Sequence, residues 1–218
     1  LIPNPTATYS SPNATGSLTY TPVADQSGTA VITVTVRDAG LDGIAGNADD
    51  ATFSRAFNAT VNAVNDVPTL DAIANPAAIS EDAGQQTVNL SGISAGGGES
   101  QALTVTAVSD NTGLIPNPTA TYSSPNATGS LSYSPNVGQF GMAVITVIVT
   151  DGGLDGIAGN GDDATFSRMF TVTVNSVNDA PTLDAIANPA AINEDAGQQT
   201  VNLSGISAGG GESQALTV

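Results

Sequence analysis

Hydrophobic and polar residues alternate with a period of two in several short runs along this chain. In the strongest run, 143–149, Ile145, Val147 and Val149 fall on one face. This pattern predicts a β-strand, because successive strand side chains point to opposite faces of a sheet. No segment repeats its apolar residues at helical spacing, and clusters of Gly, Pro, Asn, Asp and Ser separate the runs. The sequence therefore predicts an all-β protein.

Seven such runs fall between residues 68 and 180, which is the number of strands in a small β-sandwich. We predict strands over residues 70–79, 87–91, 102–108, 119–122, 130–133, 143–149 and 166–174. The side chains predicted to point inward, besides those of 143–149, are Val88, Leu90, Leu103, Val105, Phe170, Val172 and Val174.

The chain contains an internal repeat with a period of 113 residues. Residues 1–105 align with 114–218 without a gap, and 17 of these 105 positions differ. A period of this length suits one domain per repeat. The boundaries are best placed at VNDVP (64–68) and VNDAP (177–181), where a proline ends the last strand. We therefore expect the end of one repeat at 1–67, a complete repeat at 68–180 and the start of another at 181–218.

The two partial repeats expose unpaired strand edges on this division, and such edges recruit other strands. We expect the partners of this chain to be neighbouring repeats of the same array. A variant is head-to-tail assembly into a fibre, in which 181–218 of one copy completes 1–67 of the next, since 38 + 67 supplies 105 of 113 residues. A window cut from a longer array produces the same frame and is the preferred explanation.

Charge limits the partners further. The chain has 3 Arg, no Lys, no His and 20 acidic residues, for a net charge of −17. Nucleic acid and anionic membrane surfaces both require basic patches, so we expect contact with neither. A cation is the natural partner of such a surface, and a charge that only maintains solubility is the alternative. There is no Cys, so disulfides and thiolate metal sites are excluded.

Several segments resemble the cadherin-like tandem repeats of large bacterial surface adhesin-type proteins, an immunoglobulin-like class. They are VNDAP at the junction, ISEDAG and INEDAG soon after each junction, and LSYSPNVGQFGMAVITVIVTDGG before the last strand. The resemblance implies tandem immunoglobulin-like (cadherin-like) β-sandwich domains of about seven strands, stiffened by calcium in extracellular stalks. The first copy departs from the pattern, with TPVADQSG in place of SPNVGQFG, so its loop is expected to pack differently.

The repeat junction is the first candidate Ca²⁺ site. In an immunoglobulin-like sandwich the loop after the first strand lies at the same end as the C-terminus of the domain. Calcium takes six to eight oxygen ligands, several of them carboxylates. The candidate ligands are Glu81, Asp82, Asp110, Asn178 and Asp179, with Glu212 from the next repeat and with Asn65, Asp66 and Glu99 at the preceding junction. Solvated loop acids and turn-forming Asn-Asp pairs remain the alternative.

The loop DAGLDGIAGNADD, repeated as DGGLDGIAGNGDD, is the second candidate Ca²⁺ site. Its oxygen-bearing side chains are Asp38, Asp42, Asp49 and Asp50 in the first copy and Asp151, Asp155, Asn160, Asp162 and Asp163 in the second. Their spacing differs from that of an EF-hand. Because the loop joins the last two strands, we expect it at the N-terminal end of its domain, facing the Asn65–Asp66 junction. A hairpin loop in which Asp and Gly only form turns is the alternative.

The functional expectation is structural: a segment of an extracellular, calcium-stiffened stalk, fibre or adhesin shaft on a bacterial surface. The alternative is a calcium-dependent adhesin module that binds carbohydrate or protein, with a glycan or surface ligand held elsewhere in the parent protein. A passive acidic spacer without bound ions is a third reading. An enzyme is not expected, because the chain has no His, Cys or Lys to act as base or nucleophile.

Overall fold

The computed structural model describes all 218 residues and contains β-strands and no helix. The protein is therefore all-β, as predicted. The strands are β1 (Thr6–Thr8), β2 (Ser17–Thr19), β3 (Gly28–Arg37), β4 (Thr52–Val61), β5 (Ile79–Ser80), β6 (Gln86–Leu90), β7 (Leu103–Ser109), β8 (Thr119–Thr121), β9 (Gly129–Tyr133), β10 (Gly141–Asp151) and β11 (Thr165–Asn175). No helix is long and apolar enough to cross a membrane.

Seven strands of residues 68–180 form two sheets. One has the order β5-β11-β10-β7, in which β5 runs parallel to β11 and the other pairs are antiparallel. The other has the order β6-β9-β8 and is antiparallel throughout. The longest ladder joins β10 to β11, with Ile145 opposite Phe170. The chain crosses between the sheets after β5, β6, β7 and β9, whereas β8–β9 and β10–β11 are consecutive antiparallel pairs within one sheet.

The two sheets enclose one hydrophobic core of 17 buried residues. Ile145, Val147 and Val149 have no exposed surface, so the predicted inward face of β10 is confirmed. From the opposite sheet, Leu131 of β9 and Leu90 of β6 belong to the same cluster. Period-two alternation thus gave the correct buried face for the central strands, because one face of each packs on the other sheet.

The predicted first strand over 70–79 is mostly wrong. Only β5 at its end is regular, and the segment before it makes a single bridge between Thr69 and Ser94. Pro76 has no backbone donor for a ladder. In addition, Asn75 occupies the β11 edge through its side chain, because its Oδ1 accepts the N–H of Thr171 at 2.8 Å. Side-chain hydrogen bonding replaces regular pairing over this stretch.

The partial repeats form fewer elements than the complete one. Residues 1–67 contain two separate hairpins, β1-β2 and β3-β4. Residues 181–218 contain no regular strand and one bridge, between Thr182 and Ser207. Apolar side chains that the complete repeat buries are open here: Phe170 is 2% exposed, whereas Phe57, at the same place in the repeat, is 41% exposed. Sequence identity alone does not bury these residues, because β3 and β4 form a two-stranded sheet with no further strand beside them.

Candidate metal centres

Glu81 is the most unusual acidic residue at the end of the complete repeat. Its backbone N–H donates to the carbonyl of Asn175 at 3.0 Å, which continues the β5–β11 pairing and carries Glu81 beside the end of β11. The residue is 1% exposed. Its Oε1 accepts the N–H of Val177 at 2.7 Å, and its Oε2 is buried without a partner. A buried carboxylate oxygen without a partner is costly, so this atom suits a cation or another donor.

Further carboxylates surround Asp179, which lies in the junction that follows β11. The Asp179 N–H donates to Glu212 Oε2 at 3.1 Å, joining the junction to the next repeat. Partial desolvation, followed by the negative charges of Asp82, Glu212 and Glu81, raises the pKa of Asp179. The Asp179 carboxylate is therefore repelled by three others, those of Glu81 and Asp82 and that of Glu212 from the next repeat.

The side chains at this junction do not form a complete set of ligands for an ion. The structure contains no group of three or more acidic side chains positioned to hold a metal ion. Asn178 is engaged, since its Oδ1 accepts Gln214 Nε2 at 2.8 Å. Asp110 follows the last residue of β7 and extends the contact with β10, because its Oδ1 accepts the N–H of Val144 at 2.7 Å. The donor set fits calcium chemically, and binding requires the carboxylates to draw together.

The preceding junction is held by direct hydrogen bonds of Asn65. Its Nδ2 donates to both carboxylate oxygens of Asp151 at 3.3 Å and to the carbonyl of Asp162 at 3.0 Å. Its Oδ1 accepts Gln101 Nε2 at 2.6 Å. Gln101 also donates to Glu99 Oε2 at 3.0 Å. The loop after β10 therefore faces the Asn65 junction, as the topology predicted, and an amide joins the two without an ion.

Asp66 and Glu99 at this junction lie beside a cleft. The Asp66 N–H donates to Glu99 Oε2 at 3.1 Å. The cleft is lined by both residues together with Asp25 from the first-copy loop. At the second junction Gly138 replaces Asp25, and a Cβ there would lie 2.9 Å from the Gly210 carbonyl oxygen. The first-copy loop thus lacks the glycine that permits this close approach, which gives a physical reason for the expected difference in packing.

In the loop 151–163 each of the four Asp residues accepts a backbone hydrogen bond from the loop itself. Asp151 is fully buried, and its Oδ1 accepts the N–H groups of Gly153 at 3.0 Å and Ala164 at 2.8 Å. Asp155 accepts the N–H of Ile157 and the side-chain amide of Asn160. Asp162 accepts the N–H of Leu154, and Asp163 accepts the N–H of Gly159. Asn160 in turn accepts the N–H of Asp162. The contacts of Asp151 with Gly153, Asp155 with Ile157 and Asn160 with Asp162 have the form of Asx-turns.

The first-copy loop repeats this network. Asp42 accepts the N–H of Ile44 and the side chain of Asn47, and Asp49 accepts the N–H of Leu41. Hydrogen bonds from the N–H groups of Ala51 and Gly40 lower the pKa of Asp38. One oxygen is left over in each loop: Oδ1 of Asp50 and Oδ1 of Asp163 are buried without partners.

Sequence reasoning did not identify Gln101 and Gln214, which hold Asn65 and Asn178 in place. Each follows a Glu by two positions in the motif GESQ, which is unchanged in both copies. Amide side chains carry no charge to mark them, so the recurrence of GESQ is the only signal in the sequence.

Neither a protein-family model nor a curated protein sequence matches the chain significantly. Among solved structures, the chain is similar to domains 4 and 5 of the S-layer protein SbsC, with 15% identity, a TM-score of 0.35 and 73% of this chain covered. It is also similar to domains 1–6 of surface layer protein SbsC, with 13% identity, a TM-score of 0.35 and 88% covered. The chain spans 62% of the former structure and 22% of the latter.

Proposed function

We propose that the chain is part of an extracellular array of immunoglobulin-like, cadherin-like domains, stiffened by calcium, that serves as a stalk, fibre or adhesin shaft on a bacterial surface. The order of strands supports the domain type. In constant-type immunoglobulin sandwiches the first, second, fourth and fifth strands form one sheet, and the third, sixth and seventh the other. The first strand differs here, because β5 pairs with β11. Here β6, β8 and β9 pair in one sheet and β7, β10 and β11 in the other. The proposed domains are 1–67, 68–180 and 181–218, of which the second is complete.

The observation that carries the calcium proposal is the unpartnered Oε2 of Glu81. It is buried beside Val177, at the base of the linker to the next repeat. Asp82, Asp179 and Glu212 supply further negative charge at the same place. A divalent cation would neutralise this repulsion and complete the coordination of the buried oxygen. Because Glu212 belongs to the next repeat, the ion would restrain the angle between two domains.

A rod follows from stiff junctions, since a repeat array contacts mainly its neighbours along one axis. At the preceding junction, Asn65, Gln101, Asp151 and Asp162 already cross-link the linker to the following repeat. The net charge of −17 keeps such a rod from associating sideways without cations. Each of these features bears on the stiffness or the lateral repulsion of the array, and none of them bears on catalysis.

Thermal unfolding of the full chain tests the calcium proposal. The melting temperature is measured with chelator, with millimolar calcium, and with sodium chloride at matched ionic strength. A ligand that binds only the folded state at about a hundredfold excess over its Kd stabilises by about 2.7 kcal/mol. We expect a calcium-specific rise of several degrees. An equal rise with sodium chloride would show general screening and would leave a passive acidic spacer.

A further inference from the structure

The outer face of the four-stranded sheet in the complete repeat carries no charge on its three long strands. Along β7, β10 and β11 outward side chains alternate with those that enter the core, and every outward residue is Thr, Ser, Asn, Val, Ile or Met. The chain has 20 acidic residues, and none of them belongs to this set. Asp110 only borders it, where its Oδ1 accepts the N–H of Val144. We name the outward residues of these three strands the neutral face.

Large apolar side chains lie at the centre of the neutral face. The chain has two Met residues, and both belong to this face: Met142 is 67% exposed and Met169 is 66% exposed. Thr146 of β10 pairs with Met169 on one side and with Val108, which is 43% exposed, on the other, so one row of side chains crosses three strands. Ile148 is the next outward residue along β10. Flexible, polarisable methionine side chains are typical of apolar binding surfaces.

The first copy of the repeat carries a more polar outer face on the same pair of strands. Positions 142, 148 and 169 correspond there to Thr29, Thr35 and Ala56. The inward residues of β10 at 145, 147 and 149 are identical in the two copies. The apolar residues on the outside of the complete repeat therefore do not follow from the pattern that forms its core. A contiguous exposed apolar patch of this kind marks an interaction site.

The charge of the chain indicates which partner fits this face. The net charge is −17, so two copies repel each other wherever their acidic loops approach. Through the neutral faces, two copies meet without placing one carboxylate against another. A strongly charged partner finds no charge to pair with there, whereas a second copy offers the same apolar row. We propose that two copies of the chain pair through their neutral faces about a two-fold axis, with the same surface contributed by each.

The size of the neutral face predicts that this pair is weak. Three strands cover a width of about 14 Å and the 11 residues of β10 a length of about 36 Å, so each copy contributes about 500 Å². A standard interface takes about 800 Å² from each partner. Pairing therefore requires a high protein concentration and enough salt to screen the net charge. In the proposed array, repeats that carry this face would act together and hold rods side by side, and this last step alone rests on the proposed function.

Sedimentation equilibrium of the full chain, in chelator and about 0.5 M sodium chloride, tests the pairing separately from calcium binding. The mass of the wild type should rise with concentration towards that of a dimer. The triple variant Met142→Thr, Ile148→Thr and Met169→Ala takes the first-copy residue at each position and should stay monomeric. Val137→Ala with Phe140→Ser is the matched control. It also takes first-copy residues and removes exposed apolar surface, but in the loop before β10, so it should pair like the wild type.

Oxidation of methionine tests the same face without a change in sequence. Hydrogen peroxide transfers one oxygen atom to each methionine sulfur and leaves as water, and the resulting sulfoxide is polar. The chain has no Cys, His or Trp, so Met142 and Met169 are the side chains that mild peroxide treatment oxidises. The oxidised wild type should remain monomeric. The triple variant has no Met, so its sedimentation should not respond to peroxide.

Four results would overturn the proposal. They are a wild type that stays monomeric at millimolar concentration in salt, a triple variant that associates like the wild type, an oxidised wild type that associates like the reduced protein, and a loss of association in the Val137→Ala, Phe140→Ser control. The last result would place the contact on the loop before β10. Because all samples contain chelator, none of these outcomes depends on whether calcium binds at Glu81.

Discussion

The backbone N–H of Val177 donates to Oε1 of Glu81 at 2.7 Å, while Oε2 of the same carboxylate has no partner. This contact ties the buried acid of one repeat to the start of the linker that leads to the next. A charge placed there affects both the stability of the domain and the geometry of its junction.

Glu81→Gln should remove most of the stabilisation by calcium. The amide keeps the oxygen that accepts the Val177 hydrogen bond but loses the charge that a cation requires. Where calcium stabilises the wild type by about 2.7 kcal/mol, the variant should gain less than about 1 kcal/mol, measured by thermal unfolding with and without calcium. Glu194→Gln is the matched control, because Glu194 has the same position in the repeat but is exposed. Equal calcium responses in both variants would place the ion elsewhere.

The raised pKa of Asp179 predicts that the stability difference between Asp179→Asn and the wild type depends on pH. At neutral pH, calcium should reverse the sign of this difference. The pKa of Asp179 is raised from 3.8, so its contribution to stability is present below that value and is lost as pH rises through the folded-state pKa. In chelator, Asp179→Asn should therefore be more stable than the wild type at neutral pH and equal to it at pH 3. With calcium, the wild type should be the more stable protein at neutral pH.

The measurement for Asp179 is the melting temperature between pH 3 and 7, with and without calcium. Asp66→Asn is the control, since this chain has no counterparts of Glu81 and Asp82 before the first junction. A wild type that remains more stable than Asp179→Asn at neutral pH in chelator would contradict the repulsion described here.

Asn65→Asp should destabilise the first junction without any involvement of calcium. The substitution replaces the amide that donates to the fully buried Asp151 with a second negative charge. Loss of hydrogen bonds to a buried charged group costs about 1–3 kcal/mol. Asn178→Asp is the matched change, because the Asn178 amide donates only to the carbonyl of Asp179. Chemical denaturation in chelator should show a larger loss for Asn65→Asp than for Asn178→Asp, and similar losses in the two variants would mean that the Asp151 contact contributes little.

Gly153→Ala should be more destabilising than Gly156→Ala. Both glycines have positive φ, +59° and +72°, so alanine strains either one by about 1–2 kcal/mol. At Gly153, however, the new Cβ would lie 2.5 Å from the carboxylate carbon of Asp162, whereas Gly156 has open space. Displacing Asp162 also frees the N–H of Leu154. Equal free energies of unfolding for the two variants would show that the loop adjusts without cost.

Leu131→Ala should cost about 2–5 kcal/mol, as expected for a leucine with no exposed surface. Leu18→Ala changes the same position in 1–67, where fewer strands cover it, and should cost less than about 1 kcal/mol in the monomer. Urea denaturation compares the two directly. A large cost for Leu18→Ala in the monomer would mean that 1–67 is packed more fully than its hairpins show.

The all-β class and the buried faces of the long strands could be predicted from the sequence. Ile145, Val147 and Val149 are fully buried and alternate with partly exposed neighbours, and period-two alternation has one structural solution once one face is buried. The segment 70–79 could not be predicted in the same way. Its apolar residues suggest a strand, but the contact between Asn75 and Thr171 joins residues 96 positions apart.

The sequence by itself determined which acids the molecule carries and that they recur every 113 residues. Only the tertiary structure distinguished them. The Asp residues of the loop mostly accept hydrogen bonds from nearby backbone N–H groups, which local geometry provides. Glu81 lies where β5 meets β11 and has an oxygen that no local donor reaches, whereas Glu194, in a segment that differs only by Asn193 in place of Ser80, is exposed. Burial and charge repulsion depend on strands and repeats distant in the chain, so identical motifs acquire different environments.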